Sequence, residues 1–275
     1  MKNRVLLMCV ILFTTNQFAC LDKTPVGETN STSSVVSVSS PEEEKGRGLL
    51  ANCLEAHGGL DQWQKFEGLE YTLINNGKPV YQLTHLRDRR AYIRSEDFEV
   101  GFDGKVAWAY PDANNISGNS PAFYYNLDFY FVGMPFVLAD PGVRVAHQGS
   151  AEVDGKRFEV LQVTFGSDIG FTPDDIYLLY LDPESFRLEI LVYSVSFFET
   201  NQSGLLKTAK VYSDYTEVQG LLMPGKMENF SYDEGVLGAS KGHTRLFKDI
   251  QFLTTIPNED VFSIKDGAVT EIVYK

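Results

Sequence analysis

Hydrophobic and polar positions fall into three regimes along the chain. Residues 5–13 form one unbroken apolar run. Residues 21–45 are dominated by Ser, Thr, Pro, Gly and Glu, with no aromatic residue and no sustained apolar period. From residue 46 to 275 apolar residues recur, with no second linker and no fixed-period repeat. Leu49, Leu50, Cys53 and Leu54 make one stripe at helical spacing, which predicts a helix over 46–57 ended by Gly58-Gly59. Asp61 is placed to cap a second short helix carrying Trp63 and Phe66. After that the pattern is strand-like, with runs at 69–74, 80–86, 91–94, 98–102, 106–110, 143–147, 158–165, 176–181, 188–195, 207–216, 222–232 and 244–253. Asn76-Gly77, Asp103-Gly104 and Asp154-Gly155 supply the positive φ that tight hairpins need. Short connections favour antiparallel neighbours, so the pattern predicts a mainly β, α+β domain built on one large, strongly curved antiparallel sheet.

A strand with one face in water alternates polar and apolar residues. Ile176-Tyr177-Leu178-Leu179-Tyr180-Leu181 does not alternate. In the next strand Leu188, Ile190 and Val192 are expected on one face, and Leu191, Tyr193 and Val195 on the other. Both faces must therefore be covered, by packed core throughout or by core on one side and an apolar lumen on the other.

Residues 121–143 concentrate Phe123, Tyr124, Tyr125, Phe129, Tyr130, Phe131 and Phe136 and close at Asp140-Pro141-Gly142. Gly133 and Pro135 predict two short helices with a kink near Met134-Pro135. Three roles suit the segment: a plug of the sheet's concave face, a lid over a lipid-binding cavity, or an exposed docking patch. As a cavity lining, these seven aromatics are the candidate ligand-binding residues, joined by Tyr177, Leu179, Leu191 and Tyr193.

The first apolar run is far shorter than the roughly 20 residues of a membrane-spanning helix. With Lys2 and Arg4 before it and polar residues after it, it has the layout of a signal peptide. Ala19-Cys20 just beyond resembles a lipoprotein signal, which implies residues 1–19 as the leader and Cys20 as the acylated N-terminus of the mature chain. The other reading is an ordinary secretory signal with an incidental Cys20. Residues 20–45 then form the lipidated cysteine and a flexible tether with a reach of roughly 25–30 Å. The folded domain is 46–275.

Formal net charge is −13. Lys2 and Arg4 leave with the signal, so the mature chain carries −15; residues 20–45 hold five acids against two lysines, leaving −12 on the domain. No basic stripe suits nucleic acid, and an anionic membrane repels such a body, so the anchor must be the lipid. Three cysteines are too few for a disulfide framework, and Cys53 in apolar surroundings reads as a small core hydrophobe. His57, His85, His147 and His243 are scattered, with no metal-ligand spacing. Gly166-Ser167-Asp168-Ile169-Gly170 lacks the residue order of a nucleophile elbow. Glu96-Asp97 and Asp174-Asp175 read as solvated loop acids rather than catalytic pairs or calcium ligands. No catalytic, metal or cofactor site is expected.

The tail from Asn258 to Ala268, with its Asp260-Val261-Phe262 run, and Leu179-Tyr180-Leu181-Asp182-Pro183-Glu184 resemble the LolA/LolB-like lipoprotein-carrier superfamily. Glu55-Ala56-His57-Gly58-Gly59 with Trp63, the Phe123–Leu127 segment and Ala139-Asp140-Pro141-Gly142 resemble a family of uncharacterised Gram-negative outer-membrane lipoproteins. The resemblance implies an incomplete β-barrel with short helices packed across its concave face, anchored at the outer membrane. It further implies a non-enzymatic protein that binds a lipid or an acylated protein. The alternative is an interaction lipoprotein with a solidly packed barrel.

Overall fold

The computed structural model describes residues 39–166, 175–197 and 204–273. Cys20, the signal run and most of the tether lie outside them, as do residues 167–170 and Asp174. The first helix, α1 (Pro41–Ala56), begins five residues before the expected start. Ser40 accepts from the Glu43 amide at 3.2 Å while the Glu43 carboxylate accepts from the Ser40 amide at 3.1 Å, a reciprocal capping box. Pro41 is compatible with the first turn, and Glu42, Glu43 and Glu44 suit the positive end of the helix dipole. Residues that compose as a tether are therefore the cap of a helix. Its buried stripe is Gly46, Leu49, Leu50 and Cys53. In α2 (Leu60–Trp63) Asp61 lies inside the first turn and the cap position belongs to Gly59, so Asp61 is not the cap.

Five strands, β1 (Gly68–Asn75), β2 (Lys78–His85), β3 (Ala91–Arg94), β4 (Glu99–Phe102) and β5 (Val106–Tyr110), form an antiparallel meander. The chain then crosses as α3 (Pro121–Tyr124), α4 (Leu127–Val132) and a 3-10 turn at Phe136–Ala139. A second meander follows: β6 (Val143–Val153), β7 (Lys156–Phe165), β8 (Ile176–Leu181), β9 (Leu188–Tyr193) and β10 (Thr208–Ser213). A separate hairpin of β11 (Thr216–Val218) and β12 (Leu221–Met223) precedes β13 (Lys226–Asp233), β14 (Val236–Leu253) and β15 (Val269–Ile272).

Spatial order is β15-β5-β4-β3-β2-β1-β14-β13-β10-β9-β8-β7-β6. β14 joins the two meanders by pairing with both β1 and β13. The two outer strands, β15 and β6, do not pair with each other, so the barrel is incomplete. The sheet's strand runs and three hairpin turns follow the sequence pattern. Three features do not. β14 extends back to Val236 through an exposed stretch that includes Gly238 and Gly242 and has no apolar alternation. β15 is short and largely exposed. The β11–β12 hairpin lies where two long apolar runs were expected.

One face of the sheet holds the helices and the main core, which includes Leu69, Leu73, Phe102, Leu161, Leu179 and Leu191. On the opposite face of β7–β10 and β13, Phe158, Val160, Tyr180, Ile190, Val192 and Tyr232 form a second cluster. There the hydroxyls of Tyr180 and Tyr232 meet at 2.8 Å although β9 and β10 separate their strands. A third cluster places Phe262 and Ile256 of the tail against Leu83. Both faces of β8 and β9 are thus covered. The exception is Leu188, expected beside Ile190 and Val192. The register shifts between Tyr180↔Ile190 and Leu181↔Leu188, and this bulge turns Leu188 into the concave core.

Candidate functional site

The aromatic segment is three short helical pieces rather than two. Ser120 caps α3 by accepting from the Phe123 amide at 3.2 Å. Its own hydroxyl donates to Glu271 of β15 at 2.6 Å, and the Ala122 amide donates to the same carboxylate at 3.1 Å. A break at Tyr125-Asn126 starts α4, and Gly133 and Pro135 end it. The rings are packed pairwise. Tyr125 stacks on Phe102 at 4.3 Å, and Tyr124 meets Phe98 edge-on at 5.6 Å. Phe131 tilts against Tyr193 at 5.0 Å, and Phe136 stacks on Trp63 at 4.6 Å. Phe129 is fully buried under the guanidinium of Arg89. Tyr177 packs edge-on between Phe165 and Tyr193.

Ten of the eleven predicted residues join one continuous core: Tyr124, Tyr125, Phe129, Phe131, Phe136, Leu179 and Leu191 fully, and Tyr130, Tyr177 and Tyr193 at its edge. Phe123 stands apart, half-buried against Phe197. None of the seven segment aromatics is exposed, so the segment is not an open docking patch. It plugs the concave face, and each buried ring contributes roughly 1.5–3 kcal/mol.

An open cleft of about 400 Å³ lies at the edge of this plug. Its apolar walls come from Leu60, Trp63 and Phe66 after α1, from Leu86 after β2, and from Phe136 and Ala139. Arg87, Arg89 and Asp140 stand on its rim. Arg89 is held there by the Leu86 carbonyl and the Asp140 carboxylate. A cleft of this size falls in the range of small-ligand sites, and it sets buried apolar residues beside the polar Gln64, Arg87, Arg89 and Asp140. Phe136 alone of the predicted residues lines it.

Beneath α4 the core holds charge. Asp128 accepts from Arg245 Nε of β14 at 2.6 Å and from the Gln82 amide at 3.4 Å; Gln82 in turn accepts from the Tyr71 hydroxyl at 2.8 Å. Lys210 is 1% exposed, donates to Asn229 Oδ1 at 2.9 Å and lies 4.1 Å over the Phe131 ring. Burial, then the Arg245 charge, lowers its pKa from 10.5 to about 7, with Asp128 opposing. Sequence patterning missed this cluster because the strand has apolar neighbours on both faces. The available signal was parity: Lys210 shares its side of β10 with the inward Tyr212.

His57, Cys53 and Asp175 are each held inside the core. Buried His57 donates from Nδ1 to the Leu222 carbonyl at 3.1 Å and accepts at Nε2 from the Leu188 amide at 3.2 Å, which fixes one neutral tautomer. Burial lowers its pKa to about 4. Burial also pushes the Cys53 thiol up to about 12, so it is inert. Asp175, expected as a solvated loop acid, is buried and accepts from the Ser194 hydroxyl and the Ser196 amide. Among the described residues no His/Cys/Asp/Glu group can hold a metal, and no helix is long and apolar enough to cross a membrane.

Residues 100–224 match the model of a family of unknown function, DUF6503. Among curated proteins no match is found. Solved structures to which the chain is similar include a Vibrio parahaemolyticus domain named for outer membrane lipoprotein sorting, at 13% identity and TM-score 0.47, with 80% of this chain and 97% of that one covered. A LolA superfamily protein from Nitrosomonas europaea is similar at 10% identity and TM-score 0.48, over 78% and 96%. A DUF1329 family protein from Desulfovibrio piger is similar at 14% identity and TM-score 0.47, over 82% and 98%. The likeness is one of fold.

Proposed function

We propose that this chain is a lipid-anchored protein of the Gram-negative cell envelope, held at the outer membrane by acylated Cys20, that binds an acyl chain of a lipid or lipoprotein without catalysing a reaction. The cleft beside the aromatic plug carries this reading: it brings the stacked Trp63 and Phe136 together with Arg87 and the Arg89–Asp140 pair. The aromatic plug continues the same apolar surface inward. Among the buried groups, His57 and Cys53 are both committed to packing and hydrogen bonding.

A second reading, an interaction lipoprotein with a solid barrel, is favoured by the pairwise ring packing of the plug. Trp63 lies in the cleft while Trp108 packs elsewhere, donating to the Phe262 carbonyl. A titration with a brominated fatty-acyl probe therefore separates the two. Saturable quenching of Trp63 that Phe136→Asp abolishes, with the fold retained, supports acyl binding. Absence of quenching supports the interaction reading. Cys20→Ser tests the anchor: the protein is expected to leave the membrane fraction, and retention after a high-salt wash overturns lipidation.

A further inference from the structure

The cleft leaves the charged cluster beneath α4 without a role. That cluster holds two cationic side chains, Lys210 and Arg245, against one carboxylate, Asp128. Asp128 is hydrogen-bonded to Arg245, while Lys210 donates to the neutral Asn229 amide oxygen, lies over the faces of Phe131 and Tyr193, and feels the Asp128 charge without a direct hydrogen bond to it among the described residues. The sheet register sets this cluster at the end of an apolar row. Leu161 pairs with Leu179, Leu179 with Leu191, and Leu191 with Lys210 across successive strands. All three leucines are fully buried on the concave face. Three leucines ending at an ammonium group have the profile of a chain followed by an acid head.

We propose that Lys210 and Arg245 are the head-group site for a long-chain carboxylate, whose acid group takes the place that Asp128 of α4 holds here. The proposal rests on the acyl-binding reading and names its ligand class. α4 supplies from within what such a ligand brings from outside: apolar carbon from Phe131 over Lys210, and one carboxylate on Arg245. Asp128 is then an internal competitor. Its neutralisation favours the ligand, whereas loss of Lys210 disfavours it. A purely structural ion pair predicts no such opposition of sign. The near-neutral Lys210 is consistent with a site that gains its full positive charge when a second anion arrives.

The test is calorimetric titration of the full chain carrying Cys20→Ser, so that no anchor competes, with palmitate, hexadecanol and hexadecyl phosphate. Palmitate is expected to bind about tenfold or more tightly than hexadecanol, a difference of about 1.4 kcal/mol from its charged head. Asp128→Asn is expected to tighten palmitate about tenfold. Lys210→Met is expected to weaken palmitate by a similar factor and to leave hexadecanol unchanged. Equal binding of palmitate and hexadecanol overturns the head-group site while sparing the acyl-binding reading. Binding of neither overturns both. A folded Asp128→Asn protein without tightening overturns the competition; should that variant fail to fold, Lys210→Met weakening both ligands alike overturns the site. Tightest binding of hexadecyl phosphate, with the same variant pattern, overturns the carboxylate assignment in favour of a phosphate amphiphile.

Discussion

Asp128 of α4 and Arg245 of β14 are 117 residues apart and form a hydrogen-bonded ion pair at 2.6 Å inside the aromatic core. The aspartate is 3% exposed and the arginine side chain 16%. The pair ties the plug to the strand that joins the two meanders. Its removal from one side leaves the other charge buried and unpaired, which costs about 3–5 kcal/mol. Arg245→Gln should therefore lower the unfolding free energy from urea titration by that much, and adding Asp128→Asn should restore part of the loss. A single-variant change below about 1 kcal/mol, the scale of an exposed pair, argues that solvent reaches it.

His57 makes stability depend on mild acid. Its folded pKa of about 4 lies below the ordinary 6.5 because the ring is buried neutral. Between those values the unfolded chain binds a proton that the folded chain does not. The contribution is complete above pH 6.5 and is lost as pH falls toward 4, by about 3 kcal/mol at most. Urea unfolding from pH 4.5 to 7 should show that slope, and His57→Gln should flatten it.

Lys210 acts in a separate window. Its folded pKa of about 7 lies below the ordinary 10.5. From pH 7 upward the unfolded chain holds the extra proton, so stability should rise with pH until the tyrosines of the unfolded chain ionise near 10. Denaturation at pH 7, 8 and 9 should trace the rise. Lys210→Met should remove it; an unchanged slope assigns the titration to another group.

Gly58 adopts φ +107°, and a Cβ there would stand 2.2 Å from the Gly220 carbonyl oxygen. Beside it the Leu222 amide donates to the His57 carbonyl at 2.8 Å, so the end of α1 lies directly on the β11–β12 hairpin. Gly58→Ala should cost about 1–3 kcal/mol from backbone strain and this clash. Thermal unfolding beside Gly59→Ala, whose nearest new contact is the flexible Glu55 carboxylate at 3.4 Å, separates the clash from the strain.

Much of this architecture was legible along the chain because hairpins are local. Asn76-Gly77, Asp103-Gly104 and Asp154-Gly155 mark their turns by a backbone requirement that few residue types satisfy. β15 and the exposed half of β14 were not legible. β15 pairs with the distant β5, whereas the exposed half of β14 pairs with its neighbour β13 across a tight turn; both leave little apolar periodicity to read. The start of α1 was misread because composition reports solvation and not capping: Ser40 and Glu43 are polar in a tether and in a capping box alike.

The sequence by itself determined the fold class, the antiparallel order of most strands and the gathering of aromatics into one segment. Each follows from local periodicity and turn chemistry. Only the tertiary structure decided what those aromatics face. Ten of the eleven candidate residues converge on one core because strands distant in sequence curve around them. Phe136 alone reaches the cleft, and Lys210 turns inward beside Phe131. A buried lysine and an exposed one have the same letter; register, bulges and sheet curvature distinguish them, and these are set by contacts between residues far apart in the chain.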